Sequence, residues 1–217
     1  IRRTNTVPEQ AFAAAAASDA DVVVFVEYAS SFEPALQASG LLDGLGRAGL
    51  LALLERHRER VEVYLQYDGL SADASRHHRG ADLRRQKDLA VERRSRAGIF
   101  TTLTMTVALG VNDEEIGAVL KRGLDTPYVG GVTIQPVFGS GRSAGIDPLD
   151  RLTHTGVLAR LEGQTGGLVT WRDLTALPCS HPHCCSVGYL LRDDGGTWRS
   201  LTSLVGHDRL KELLELQ

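Results

Sequence analysis

Hydrophobic and polar positions in the middle of the chain alternate between the two-residue period of strands and the longer period of helices. Short apolar runs predict four strands, at residues 22–26, 61–67, 100–109 and 131–137. Amphipathic stretches predict three helices, at residues 50–60, 82–97 and 114–123. Because strands and helices take turns at the spacing of α/β proteins, we expect parallel strands joined by right-handed crossovers.

The regular alternation ends near residue 142. Beyond it, helices are predicted at 150–162 and 208–216, and residues 168–171 fit either a strand or a loop. Residues 189–199 carry apolar positions on both sides of an Asp-Asp-Gly-Gly turn, which predicts a β-hairpin. We therefore divide the chain into an atypical N-terminal part at 1–49, a βα core at 50–150 and a C-terminal extension at 151–217.

Composition narrows the class of protein. The 217 residues are 42% hydrophobic and 24% charged, which is enough apolar material for a buried core. The net charge of -3 speaks against a broad basic surface for nucleic acid. No apolar stretch approaches the roughly 20 residues that span a bilayer, so no transmembrane segment is expected. The start does not resemble a secretory signal, and the three cysteines all lie within 179–185, so a reducing, cytoplasmic setting is expected.

Polar residues follow the ends of the predicted core strands. In parallel α/β folds the active site lies at the carboxyl ends of the strands, so these residues are the first candidates for binding. A glycine-rich loop that ends in Arg142 could bind a carboxylate or a phosphate, because arginine offers a planar fork of donors. Polar residues also end strands without binding anything, and spacing alone leaves both interpretations open. The candidates are Gln66, Asp68, Thr104, Thr106, Asn112, Gln135 and Arg142.

Several short strings, in order, resemble the radical S-adenosylmethionine (SAM) enzymes. They are Val-Tyr-Leu-Gln-Tyr-Asp-Gly at 63–69, Arg-Gly at 79–80, Thr-Met-Thr-Val at 104–107, Gly-Val-Asn-Asp-Glu-Glu-Ile at 110–116, and Gln-Pro-Val at 135–137 with Gly-Arg at 141–142. Strings at 164–167 and 178–182 fit as well. The pattern is most similar to the group that includes archaeal tetraether lipid synthase, and more distantly similar to the molybdenum-cofactor cyclase.

The resemblance implies a fold, an α/β partial (β/α)6 barrel of the TIM type. The barrel would be incomplete on its N-terminal side and would carry a C-terminal extension with a β-hairpin. SAM would lie across the strand ends, with Gln66 and Arg79 near its amino-acid moiety and Thr104 or Thr106 near its ribose. Gln135 would approach the adenine or the substrate. The alternatives are a surface salt bridge for Arg79 and ordinary strand positions for the threonines.

The resemblance also implies an activity, the reductive cleavage of SAM to a 5′-deoxyadenosyl radical that modifies an organic substrate. The substrate would be a small molecule or a lipid, and a flavodoxin or ferredoxin would supply the electron. SAM and a [4Fe–4S] cluster would be the cofactors. Such a cluster needs thiolate ligands, normally three cysteines spaced C-x3-C-x2-C near the first strand.

The chain departs from the family at this point, since it has no cysteine before Cys179. The family's Gly-Gly-Glu-Pro motif and its third strand also have no counterpart before Leu50. Three explanations are open, namely a fragment or gapped sequence, a shifted reading frame, and a degenerate member. The degenerate member would be a non-catalytic remnant or a metal- or SAM-binding domain. Because the strand-end residues are kept, we expect missing sequence, and we expect that residues 1–217 alone cannot cleave SAM.

A dense group of metal-ligand side chains lies near the C-terminus. Thiolates and imidazoles in this pattern suit zinc or an iron–sulfur cluster, and the resemblance favours an auxiliary iron–sulfur cluster. The alternative is that the paired cysteines are small buried hydrophobic residues ahead of a strand. The candidate ligands are Cys179, His181, His183, Cys184 and Cys185.

Overall fold

The computed structural model describes residues 23–27, 51–52, 54–137, 147, 149–176 and 185–215, with the side chains of 23–27 and 213–215 left out. Four strands form one sheet in chain order: β1 (Val23–Glu27), β2 (Val61–Gln66), β3 (Phe100–Val107) and β4 (Val129–Pro136). β1 pairs with β2 in parallel, Val23 opposite Val61, and β2 pairs with β3 in parallel, Glu62 opposite Phe100. The predicted α/β alternation with parallel strands is confirmed, whereas a partial barrel is not established.

Between β1 and β2 the described residues are helical at 51–52 and 54–56, within the helix predicted at 50–60, and three helices lie between β2 and β4. They are α1 (Ala72–Arg79) and α2 (Arg84–Arg96) between β2 and β3, and α3 (Ile116–Leu124) between β3 and β4. The sequence pattern predicted α2 and α3 but not α1. Helix α1 is polar, and its limits come from local capping. Ser71 Oγ accepts the Ala74 N–H at 3.1 Å, and Gly80 ends the helix at φ +74.

The chain divides into two compact units. The first comprises residues 1–106 and 122–133, and the second comprises 107–121 and 134–217. In the first unit, alternate residues of β2 and β3 point to opposite faces of the sheet. One face is apolar and buried, and it carries Val61, Val63, Leu65, Leu103 and Met105. The opposite face, called the polar face below, carries Glu62, Tyr64, Gln66, Thr102, Thr104 and Thr106, together with the exposed Phe100 opposite Glu62.

The second unit is built around α4 (His154–Gln164). Gln164 ties this helix to the start of α3: its Oε1 accepts the Gly117 N–H, and its Nε2 donates to the Asp113 carbonyl, both at 2.8 Å. Arg160 adds a hydrogen bond from Nε to Asp113 Oδ2, also 2.8 Å long. A side chain at Gly117 would place its Cβ 2.6 Å from Gln164 Cβ, so the helices can approach this closely only at a glycine.

Short strands and helices complete the second unit. They are β5 (Thr175–Ala176), β6 (Ser186–Val187), β7 (Leu190–Arg192), β8 (Trp198–Ser200), α5 (Leu201–Val205) and α6 (His207–Glu215). β7 and β8 pair antiparallel, which confirms the predicted hairpin. Residues 168–170 form a loop, and a 3-10 turn follows at Trp171–Asp173. Within the described ranges, no helix has the length and apolar character needed to cross a bilayer.

Candidate functional site

The candidate site is built around Asp68, which lies just past the carboxyl end of β2. Its side chain is fully buried, and its backbone is left-handed at φ +62, a conformation that aspartate tolerates better than most residues. Two backbone hydrogen bonds to β3 hold this turn. The N–H groups of Tyr67 and Asp68 both donate to the Thr104 carbonyl, at 2.7 and 3.3 Å. The carboxylate is therefore fixed where the two parallel strands end.

Two cations converge on the Asp68 carboxylate. Arg79, in the last turn of α1, donates from Nε to Oδ2 at 2.7 Å and from Nη2 to Oδ1 at 3.0 Å. Lys87 of α2 donates from Nζ to Oδ2 at 2.9 Å and to the Tyr67 carbonyl at 2.8 Å. The Lys87 side chain is only 2% exposed. Together these bonds fasten the β2 turn to the two helices that follow it.

Gln66 connects this ion cluster to β3. Its Nε2 donates to Asp68 Oδ1 at 2.7 Å and to Thr106 Oγ1 at 2.9 Å. The Thr106 N–H also donates to Asp68 Oδ1, at 3.3 Å. The side-chain amide of Gln66 is thereby held in one orientation, with its oxygen on the side away from these two acceptors.

The pKa values of Asp68 and Lys87 are both lowered, but by different balances of burial and charge. Burial disfavours the ionised form of Asp68, but the Arg79 hydrogen bond, the Lys87 charge and the Gln66 hydrogen bond outweigh burial, so the Asp68 pKa lies well below its usual range. Burial also lowers the pKa of Lys87, and the nearby Arg79 charge adds to this, while Asp68 opposes it. A lowered pKa favours the charged form of Asp68 but disfavours that of Lys87, because two cations stabilise the one carboxylate whereas Lys87 shares that carboxylate with Arg79. The cluster carries one net positive charge.

Thr104 has an unusual environment on the polar face. It is 7% exposed, and its hydroxyl has no hydrogen-bond partner among the residues that the structure describes. Buried hydroxyls are nearly always paired, so this group calls for a polar partner that the described residues do not supply. It lies directly opposite Gln66 in the pairing of β2 with β3, and the Gln66 side chain is bonded to that of Thr106, two residues further along β3. A ligand with a hydroxyl, carbonyl or amine at this end of the strands would satisfy Thr104.

The structure thus brings together Gln66, Asp68, Arg79 and Thr106, with Thr104 beside them. Asn112 and Gln135 belong to the second unit. Asn112 is buried, and its Oδ1 accepts the Ala108 N–H at 2.9 Å, which closes the loop after β3. Gln135 is exposed on β4. Arg142 lies outside the described residues.

Sequence reasoning did not identify Lys87 as part of this cluster. A signal was present, because Lys87 lies four residues before Val91 and shares its helix face. These two are the buried residues of α2. A lysine in register with the apolar face of a helix indicates a buried partner.

The predicted metal ligands lie almost entirely outside the described residues, which include only Cys185, a half-buried free thiol. Among the residues that the structure describes, no three His, Cys, Asp or Glu side chains are placed to hold a metal ion. The sequence has no cysteine in 1–178, so this chain does not fit the three-thiolate ligand set of a radical SAM cluster. For SAM itself, the unpaired Thr104 hydroxyl at the strand ends is a fitting contact.

Comparison with known proteins gives one informative similarity, and no protein-family model matches the chain. The chain is 26% identical over 176 residues to 7,8-dihydro-6-hydroxymethylpterin dimethyltransferase of Methanocaldococcus jannaschii, a radical SAM enzyme. The match covers 70% of this chain, and the chain spans only 35% of the relative's length. This similarity supports, weakly, a distant relationship to the radical SAM superfamily.

Proposed function

We propose that this chain forms the later-strand part of a radical SAM enzyme and binds SAM at the carboxyl ends of β2 and β3. The observation that carries the proposal is the unpaired, buried Thr104 hydroxyl beside the fixed Gln66–Thr106 pair. The distant similarity to a radical SAM methyltransferase supports the same conclusion. Ligands of parallel α/β folds bind at this end of the sheet.

Each residue of the site has a distinct role in this proposal. The Thr104 hydroxyl contacts a ribose hydroxyl of SAM, and the oxygen of the Gln66 amide accepts a hydrogen bond from the SAM amino group. Asp68 does not touch SAM, because its oxygens are taken by Arg79, Lys87 and Gln66. Arg79 uses one N–H of Nε and one of Nη2 on Asp68, so the two N–H groups of Nη1 and the second N–H of Nη2 are left for the SAM carboxylate.

The reductive step needs ligands from elsewhere. Cleavage of SAM to a 5′-deoxyadenosyl radical requires an iron–sulfur cluster on cysteine thiolates, and the three cysteines of this chain lie at 179, 184 and 185. We therefore propose that the radical chemistry belongs to a longer protein of which these residues are a part. The electron donor would be a flavodoxin or ferredoxin.

The proposed substrate is a small polar molecule. The relative acts on a reduced hydroxymethylpterin by its name, and the polar face of β2 and β3 offers hydrogen-bonding groups and two aromatic rings, those of Tyr64 and Phe100. A lipid chain would leave those groups without partners, which costs free energy at each one. A pterin-like heterocycle therefore suits the proposed site better than a lipid.

Two measurements test the proposal. The 217-residue chain, titrated with SAM in a calorimeter, should bind it, and Thr104→Val should weaken that binding. The longer protein, reconstituted anaerobically with iron, sulfide and a reductant, should form 5′-deoxyadenosine, whereas the 217 residues alone should not. A fully loaded cluster that yields no 5′-deoxyadenosine would contradict the radical function. SAM binding by the longer, reconstituted protein without cleavage would favour the alternative, a non-catalytic SAM-binding remnant.

A further inference from the structure

Glu62 is the acidic side chain that the polar face of β2 and β3 contributes. It is partly buried, and one of its oxygens, Oε1, accepts a hydrogen bond from Thr102 Oγ1. Within the described residues, no cation pairs with this carboxylate. A carboxylate has two oxygens, so Glu62 can accept further hydrogen bonds beside the one from Thr102.

The neighbours of Glu62 define the chemistry of that partner. Tyr64 follows two residues later and stands on the same face, between Glu62 and Gln66. Burial, and secondarily the Glu62 charge, raise the Tyr64 pKa, so its phenol stays protonated and can donate. Thr102 and Thr104 add hydroxyls on the adjacent strand. Phe100 lies opposite Glu62, so the face offers a carboxylate, two aromatic rings and hydroxyl groups on the two neighbouring strands.

We infer that Glu62 is a specificity-determining residue, and that it recognises a planar heterocycle with two adjacent N–H donors. The inference rests on the function proposed above and narrows its substrate class. A carboxylate accepts two parallel N–H bonds well, as a 2-amino-4-oxo ring presents them. The Tyr64 ring provides an aromatic contact for the heterocycle.

Glu62 lies near the amino end of β2, opposite Phe100, whereas Gln66 is the last residue of the strand. Glu62 and Gln66 are four residues apart, which is about 13 Å along a strand. A bicyclic heterocycle whose donor edge meets Glu62 therefore extends toward Thr104 and the strand ends, where SAM is proposed to bind. Glu62 binds the N–H donors at one end of the ring system, and the opposite end of the ring system lies nearest the bound SAM, where the reaction takes place.

Calorimetry of the full 217-residue chain with two probes tests the inference. Pterin carries the 2-amino-4-oxo edge, whereas lumazine has a 2-oxo group in place of the amine. Wild type should bind pterin more tightly than lumazine. Glu62→Gln should weaken pterin binding roughly 10- to 100-fold, the range for loss of a charged acceptor, and should abolish the discrimination. Glu59→Gln, at an exposed glutamate nearby, is the matched control and should change neither affinity.

The outcomes separate this inference from the proposed function. If wild type does not prefer pterin, or if Glu62→Gln binds pterin as well as wild type does, the inference is wrong. SAM titrated in parallel should bind wild type and Glu62→Gln equally, and failure of wild type to bind SAM would count against the proposed function instead. Thermal unfolding checks that Glu62→Gln is folded. Thr102→Val, which removes the hydroxyl that holds Glu62, should weaken pterin binding severalfold and provides a second test.

Discussion

Arg79 and Asp68 are joined by two nearly parallel N–H···O bonds, 2.7 and 3.0 Å long, although they lie 11 residues apart in the sequence. The pair is almost fully buried, with the Arg79 side chain 13% exposed. Lys87 completes the cluster on the same carboxylate. The end of β2 and the two helices after it therefore depend on one ionised group.

Asp68→Asn should be strongly destabilising, because it leaves two buried cations without their counter-charge. We expect a loss of about 3–5 kcal/mol in the free energy of unfolding, the range for breaking a buried ion pair. Urea unfolding followed by circular dichroism measures it. The control is Asp73→Asn, which removes an exposed partner of Arg76 and should have little effect. Equal unfolding midpoints for the two variants would contradict a stabilising role for the cluster.

Stability should fall in acid because of Asp68. Its pKa is depressed in the folded state, so the folded protein binds this proton less readily than the unfolded chain does. The stabilisation is therefore complete above the unfolded pKa, about 3.9, and is lost as the pH falls below it. Unfolding free energies measured between neutral pH and pH 3 should decline for wild type. The decline should be shallower for Asp68→Asn, and parallel curves would show that other carboxylates are responsible.

Thr104→Val and Thr102→Val should change the free energy of unfolding by different amounts or in opposite directions. The Thr104 hydroxyl is buried and finds no partner within the described part of the chain, so its removal should be neutral or slightly stabilising. The Thr102 hydroxyl is bonded to Glu62, so its removal should cost about 1 kcal/mol. Thermal unfolding of both variants is the measurement. A clear destabilisation by Thr104→Val would mean that this hydroxyl already has a partner in the free protein.

Gly117→Ala tests the contact between α3 and α4. The new Cβ would lie 2.6 Å from Gln164 Cβ and 2.7 Å from the Gln164 carbonyl oxygen, so the helices must shift, at a cost of about 1–3 kcal/mol. Gly163→Ala is the matched control, because it is also helical but has no atom within 4 Å of the new methyl group. The control should stabilise by roughly 0.5–1 kcal/mol through its higher helix propensity. Chemical unfolding of both variants measures their stabilities, and similar free energies of unfolding would disprove the close approach of α3 and α4 at Gly117.

The sequence by itself determined the secondary structure of the core. The apolar runs that become β1 to β4, and the Gly98 stop after α2, are local signals, because side-chain period and glycine conformation act over a few residues. The hairpin of β7 and β8 was predicted for the same reason. Helix α1 was missed, because its caps and its packing, rather than an apolar stripe, define it.

The tertiary structure decided the partners of the polar residues. The sequence pattern predicted that four polar residues lie at strand ends, namely Gln66, Asp68, Thr104 and Thr106. It could not show that Arg79 and Lys87 would both bond to Asp68. Nor could it show that Thr102 would be paired while Thr104 is not. These contacts join residues that are far apart in the sequence, so they depend on strand register and helix packing rather than on local pattern.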